Sequence, residues 1–168
     1  MPNIPVWSLV AQSNTGKTTY LEKLIPALGR LGLTVGVVKH DAHDFEIDYE
    51  GKDSWRLSRA GAEVTAVVSS TQAAFVERRP LTPEEAVGRV RGVDLILTEG
   101  FKHGPWPKLA FCRAGREPVV PLEECAALIT DAPPEDCPVP LFPTEDPEPL
   151  ALWLAGQLER RNVKEEDQ

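Results

Sequence analysis

Residues Ala11-Gln12-Ser13-Asn14-Thr15-Gly16-Lys17-Thr18 match the phosphate-binding pattern G-x-x-x-x-G-K-[ST] at every defined position except the first. Such a loop wraps an anion in backbone N–H groups, and the N-terminus of the following helix adds partial positive charge. Gly16 lets the chain pass close to a phosphate without a Cβ in the way. Lys17 would reach the β- and γ-phosphates, and the Thr18 hydroxyl would hold Mg2+. Ser13, Asn14, Thr15, Gly16, Lys17, Thr18 and Thr19 are therefore the candidate phosphate-binding residues. Ala11 stands where a glycine would ease the turn, and alanine is tolerated there if φ stays negative.

A phosphate-bound magnesium also needs an acidic group from a neighbouring strand tip. Glu99 meets that requirement at the end of the apolar run 93–98, just before Gly100. Asp94 begins the same run, roughly 15 Å away along an extended chain, and is a poor magnesium candidate. The polar segment 39–48, KHDAHDFEID, leaves a second strand on the same edge. In it Lys39 could stabilise phosphate charge, and Asp44 could act as a base or reach magnesium through water. His40, His43 and Asp44 can also be read as a transition-metal site, with loose spacing and no thiolate. Lys102 and Lys108 could touch phosphate or remain solvated. Asp131 ends a late strand, where guanine-binding proteins of this type place an Asp that accepts from the base N1–H and N2 amino group. The companion lysine and asparagine are missing, and the other reading of Asp131 is a cap on the turn before Pro133-Pro134.

These residues require strands that feed loops along one sheet edge. Val6–Val10 reads as the first strand and 34–39 as a second, buried and parallel. Between them Leu21, Leu24, Ile25, Leu28 and Leu31 fall at helical spacing, with Gly32 to end the helix and Pro26 to bend or break it. A short helix spans 53–60, capped by Asp53 or Ser54 and ended by Gly61. Runs 64–69 and 73–77 are close enough to pair antiparallel. Thr82-Pro83-Glu84-Glu85 opens a helix to about Arg91. Further strands are expected at 93–98, 108–113 and 126–130, and a last helix from Asp146-Pro147 carries Leu150, Trp153, Leu154 and Leu158. The fold class is α/β, a P-loop NTPase with a mainly parallel sheet flanked by helices and an antiparallel edge or flap.

The chain has 168 residues, which fits one nucleotide-binding domain over 1–158 and a charged flexible tail over 159–168. A net charge of −8 argues against nonspecific nucleic-acid or anionic-membrane binding, so a polyphosphate must be attracted locally. No apolar run approaches the ~20 residues that cross a bilayer, and no secretory leader is visible. Cys112, Cys125 and Cys137 fit neither a disulfide framework nor a zinc pattern. A cytoplasmic location follows as the expectation.

Taken together, the pieces resemble the MobB family of molybdopterin-guanine dinucleotide biosynthesis. The resemblance rests on GKTT at 16–19, LEKLIP at 21–26, GVVKH at 36–40, HDFEID at 43–48, GKDS at 51–54, RAGA at 59–62 and TEGFK at 98–102, and covers most of 4–131. It implies a GTP-binding protein with weak GTPase activity, similar to metallochaperone GTPases and usually homodimeric. Its implied task is to assist a MobA-type guanylyltransferase that attaches GMP to molybdopterin. Lys17 and Thr18 would bind phosphate and magnesium, Glu99 would be the acidic metal partner, and Asp44 would lie in a switch-like loop. Low activity would follow if an arginine finger is supplied only by a partner; Arg56 and Arg59 are candidates.

The residues leave other readings open. A small-molecule kinase using ATP would share the loop but need an arginine-rich lid, which the chain lacks. A nucleotide-gated scaffold would need binding without hydrolysis. A nickel-delivery protein would use His40 and His43.

Overall fold

A computed structural model describes residues 4–41 and 45–166. The chain divides into two compact units, Met1–His40 with Glu85–Gln168, and Asp41–Glu84.

The first unit is built on six strands in the order β2-β5-β1-β6-β7-β8, all paired in parallel. They are β1 (Val6–Val10), β2 (Val35–Lys39), β5 (Leu95–Glu99), β6 (Lys108–Cys112), β7 (Cys125–Thr130) and β8 (Leu141–Phe142). The central strands are mostly apolar and buried because both their faces are covered, and the buried Ser8 and Thr98 hydroxyls bond each other at 2.8 Å. One face, with Trp7, Leu9, Leu97, Leu109, Phe111 and Ile129, packs under two helices, α1 (Lys17–Arg30) and α4 (Glu148–Glu166). The alternate residues Val10, Ala110, Cys112 and Leu128 meet Val120 and Leu122 from connecting segments on the other face.

Helix α1 runs unbroken past Pro26. Pro26 and Glu22, whose carbonyl loses its helical donor, both lie on the exposed side. Water can satisfy that carbonyl, so the bend or break expected there is not needed. The helix ends in a Schellman motif: Gly32 N–H donates to Gly29 C=O, Leu33 N–H donates to Leu28 C=O, and Gly32 takes φ +79°. Asp146 accepts from the Glu148 N–H at 3.0 Å just ahead of α4, and Pro147 precedes the first helical residue, Glu148, its carbonyl accepting from the Ala151 N–H. The charged segment set apart above as a tail is helical as far as Glu166, in keeping with its Glu, Arg and Lys content.

Asp94 is structural. One of its carboxylate oxygens accepts from both the Thr34 N–H and the Thr34 hydroxyl, at 2.7 and 2.6 Å. These bonds tie the entry of β2 to that of β5 and hold the Asp94 carboxyl below its usual range, the hydroxyl contributing most. Lys108, by contrast with the exposed Asp94, is buried. Its ammonium donates to the carbonyls of Gly104 and Trp106, so it supports a loop and does not face an anion.

The second unit holds α2 (Asp53–Arg59) and a separate two-stranded antiparallel sheet of β3 (Val64–Val68) and β4 (Ala73–Glu77). The antiparallel pair is thus not an edge of the main sheet. Residue Lys52, not Asp53 or Ser54, precedes the helix as its cap, and no side chain bonds there. Helix α3 (Pro83–Arg89) begins with the last two residues of the second unit, and from Glu85 on it belongs to the first.

Candidate functional site

Tight packing between β1 and its neighbours brings the tips of β1, β2 and β5 to one edge, where the phosphate-type loop leaves β1. The register pairs Leu9 with Glu99 and Lys39 with Glu99. The loop starts after Val10 and ends at Gly16, which precedes α1 with φ +96°. Asn14 also takes a left-handed backbone, φ 59°, which asparagine tolerates better than most residues. No side chain caps the start of α1, and its first turn carries no acidic residue. The unfilled N–H groups of that turn are what an anion would accept from.

Inside the loop the Gln12 carbonyl accepts from the Thr15 hydroxyl at 2.9 Å and from the Lys17 ammonium at 3.2 Å. Lys17 is therefore folded back over the loop, its charge held where a phosphate would lie. Ser13, Asn14, Thr18 and Thr19 are exposed at the rim. The Thr18 hydroxyl donates to the Glu99 carboxylate at 2.9 Å across 81 residues of chain. A hydroxyl and a carboxylate so close beside a lysine and an uncapped helix form a donor set of hard oxygens that fits Mg2+.

Glu99 is positioned by a sharp turn. The Gly100 N–H donates to Leu9 C=O and the His40 N–H to Glu99 C=O, knitting three strand tips together. Gly100 takes φ +98°, a conformation that favours glycine, and a Cβ there would crowd the Cβ of His40 at 3.2 Å. The His40 and Phe101 rings lie 4.9 Å apart and Phe101 meets Trp106 edge-on, which fixes the loop after the turn. Lys39 is exposed at the tip of β2. Asp44 and His43 lie outside the described residues. Among the described residues no group of three His, Cys, Asp or Glu is placed to hold a metal ion.

Asp131 occupies the tip of β7, on the far side of β1 from Glu99. One carboxylate oxygen accepts from the Ala114 N–H at 2.6 Å and the other from the Arg113 guanidinium at 3.2 Å. Arg113 also donates to the Thr144 hydroxyl, to Glu145 at 2.8 Å and, through Nε, to the Thr15 carbonyl of the loop at 3.4 Å. The arginine holds both carboxyls below their usual range, while the Glu145 and then the Asp131 hydrogen bond raise Arg113. Next to it, Arg116 bonds the Gln12 side-chain oxygen at 2.9 Å and the Gln12 amide donates to the Glu117 carbonyl.

Gln12, Arg113, Arg116, Thr144 and Glu145 were not singled out from the sequence. A signal existed for Arg113. It directly follows an apolar strand, as Gly100 follows Glu99, and the strand-tip rule that selects Glu99 and Asp131 selects it equally. Thr144 and Glu145 follow a strand of two residues among prolines, which offers no pattern to read.

A separate cavity of about 970 Å³ lies at the opposite ends of the strands, lined in part by Trp7, Trp106 and Ala126. It is remote from the loop. Among the described residues no helix is long and apolar enough to cross a membrane.

The profile of molybdopterin guanine dinucleotide synthesis protein B (MobB) matches residues 6–131. The molybdopterin-guanine dinucleotide biosynthesis adapter protein of Escherichia coli (strain K12) is 36% identical over 95% of this chain and 96% of its own. The protein of the same name from Haemophilus influenzae is 37% identical over 72% of this chain and 69% of its own. Among solved structures, Bacillus subtilis MobB superposes with a TM-score of 0.70 at 29% identity, covering 90% of this chain and 96% of that one. A MobB homologue from Bacillus stearothermophilus gives 0.64 at 27% identity, with 92% and 98% covered.

Proposed function

This chain belongs to the MobB family, and we propose that it is a Mg·GTP-binding adapter in molybdopterin-guanine dinucleotide biosynthesis, with slow GTP hydrolysis. The observation that carries the reading is the Thr18–Glu99 pair at 2.9 Å beside an uncapped helix start. The lysine and loop N–H groups bind the phosphates. Thr18 and Glu99 hold Mg2+, which when bound neutralises charge on the β- and γ-phosphates. Lys17 exchanges the Gln12 carbonyl for phosphate oxygen, so it enters binding already placed. Asp131 accepts from the guanine edge. Lys39 lies at the γ-phosphate end, and Asp44 orients or activates the attacking water. Hydrolysis is slow until a partner or the dimer supplies an arginine to the γ-phosphate, Arg56 and Arg59 being the candidates across a dimer interface.

The partner is a guanylyltransferase of the MobA type, with molybdopterin carried between or bound by one of them, and the adapter acts in the cytoplasm as a homodimer. The dimer is supported by the second unit, whose small sheet exposes Val64, Val67, Val68 and Phe75, apolar surface that a second copy would cover.

Calorimetry with GTP and ATP, with and without Mg2+, tests the reading. Magnesium-dependent binding with GTP preferred is expected. Equal affinity for ATP would favour the kinase, and no binding of either would remove the nucleotide role altogether.

A further inference from the structure

We propose that Arg113 is the positioning residue for base selection, clamping Asp131 and tying it to the phosphate loop so that base and phosphates are read as one unit. The proposal rests on the nucleotide reading above. Strand β5 flanks β1 on one side and carries Glu99; β6 and β7 lie on the other side and carry Arg113 and Asp131 at their tips. A nucleotide with its terminal phosphates at Thr18 and Glu99 therefore extends its nucleoside toward Arg113 and Asp131.

The guanidinium is fixed along two edges. Its Nη1 has Asp131, Thr144 and Glu145 as acceptors, and its Nε donates to Thr15. Its Nη2 has no acceptor among the described residues and lies 3.7 Å from where a Gly16 Cβ would be. An exposed arginine ordinarily keeps most of its rotamer freedom; one held by two carboxylates, a hydroxyl and a loop carbonyl does not. Through it, Asp131 cannot rotate: one oxygen is held by Arg113 and the other by Ala114. Each oxygen keeps a lone pair. A carboxylate locked in this way can accept two parallel N–H groups, which guanine presents at N1 and N2. Adenine presents a ring-nitrogen lone pair at the same place and is repelled. Because the same guanidinium reaches the Thr15 carbonyl, loop and base reader keep a constant separation.

The test is titration of wild type, Arg113→Ala and Arg113→Lys with Mg·GTP, Mg·ATP and magnesium tripolyphosphate. Arg113→Ala is expected to weaken GTP by roughly 10- to 100-fold, the scale of a lost charged hydrogen bond, to bring the GTP/ATP ratio toward one and to leave tripolyphosphate within about threefold. Arg113→Lys keeps the charge and restores part of the preference. Equal loss of tripolyphosphate and GTP in Arg113→Ala would make Arg113 a phosphate ligand and overturn the proposal. An unchanged GTP/ATP ratio would also overturn it while leaving the phosphate loop standing. Wild type that binds none of the three probes would sink both.

Discussion

Replacing Gly16 by alanine separates the folding role of that residue from its binding role. Its φ of +96° is one that L side chains avoid, which costs about 1–2 kcal/mol for a non-glycine residue. Steric crowding adds little, since the nearest atom to the new Cβ would be the end of the Arg113 side chain at 3.7 Å. For a chain of this length the melting temperature should drop by roughly 2–8 °C. Binding should suffer more, because the methyl lies where a phosphate approaches the backbone and one or two charged hydrogen bonds are lost. Affinity for Mg·GTP should fall by roughly 10- to 100-fold.

A control is available in Gly36→Ala. Its Cβ would lie 2.4 Å from a Val90 methyl and 3.3 Å from a Val93 methyl, so it overpacks the sheet face at a cost of about 1–3 kcal/mol. It touches no candidate ligand. Melting followed by circular dichroism without nucleotide, and calorimetry with it, compare the two variants. Both should melt early; only Gly16→Ala should bind poorly. If Gly16→Ala binds as wild type does, the loop does not wrap the phosphate and the argument from Gly16 is wrong.

Lys17→Ala should abolish binding, and Glu99→Gln should keep nucleotide affinity while losing most of its dependence on Mg2+; retained micromolar affinity in Lys17→Ala would remove the lysine from the site. The Asp94 carboxyl sits below its usual range in the folded protein, so it contributes stability above the unfolded value of about 4 and loses it as pH falls through the folded value. Thr34→Val should therefore be less stable than wild type near neutrality, with the gap closing in acid melts below about pH 4; a pH-independent gap would show that packing, not the Asp94 bond, was lost. Burial, with Glu124 adding to it, pushes the Cys125 thiol up to about 11, so an alkylating reagent at pH 8 should modify the half-buried Cys137 well before Cys125; equal rates would mean that the cluster around Cys125 opens readily. A charged residue at Phe75 or Val68 should shift a homodimer to monomer in sedimentation, and an unchanged assembly would place the interface elsewhere.

Most of the site edge was legible because it depends on local signals. A glycine-lysine-threonine run between a strand and a helix, and an acidic residue closing an apolar strand, are readable without knowing which strands are neighbours. The strands expected at 6–10, 108–113 and 126–130 were legible for the same reason, and form as Val6–Val10, Lys108–Cys112 and Cys125–Thr130. What escaped depends on three-dimensional adjacency. Gln12 matters because the loop at 116–117 returns to it, and Arg113 because Thr15, Asp131 and Glu145 converge on it. Pro26 misled because the sequence shows the missing donor but not that the orphaned Glu22 carbonyl faces water. Lys108 read as a surface cation because nothing in its neighbours announces that Gly104 and Trp106 turn their carbonyls onto it.

The pairing of β1 has a consequence for how the chain comes to be folded at all. Val6 pairs with Ile96 and Ser8 with Lys108, so β1, buried along its whole length, has no sheet neighbour until more than half the chain has been made. Contacts of such long sequence separation are slow to form, and until they do an apolar segment stays uncovered. The Thr18–Glu99 bond belongs to the same late set. A nucleotide cannot nucleate this protein. On the function proposed above, it would hold the finished fold together, and its chief effect on a nascent chain would be to reward those molecules that have already closed the sheet.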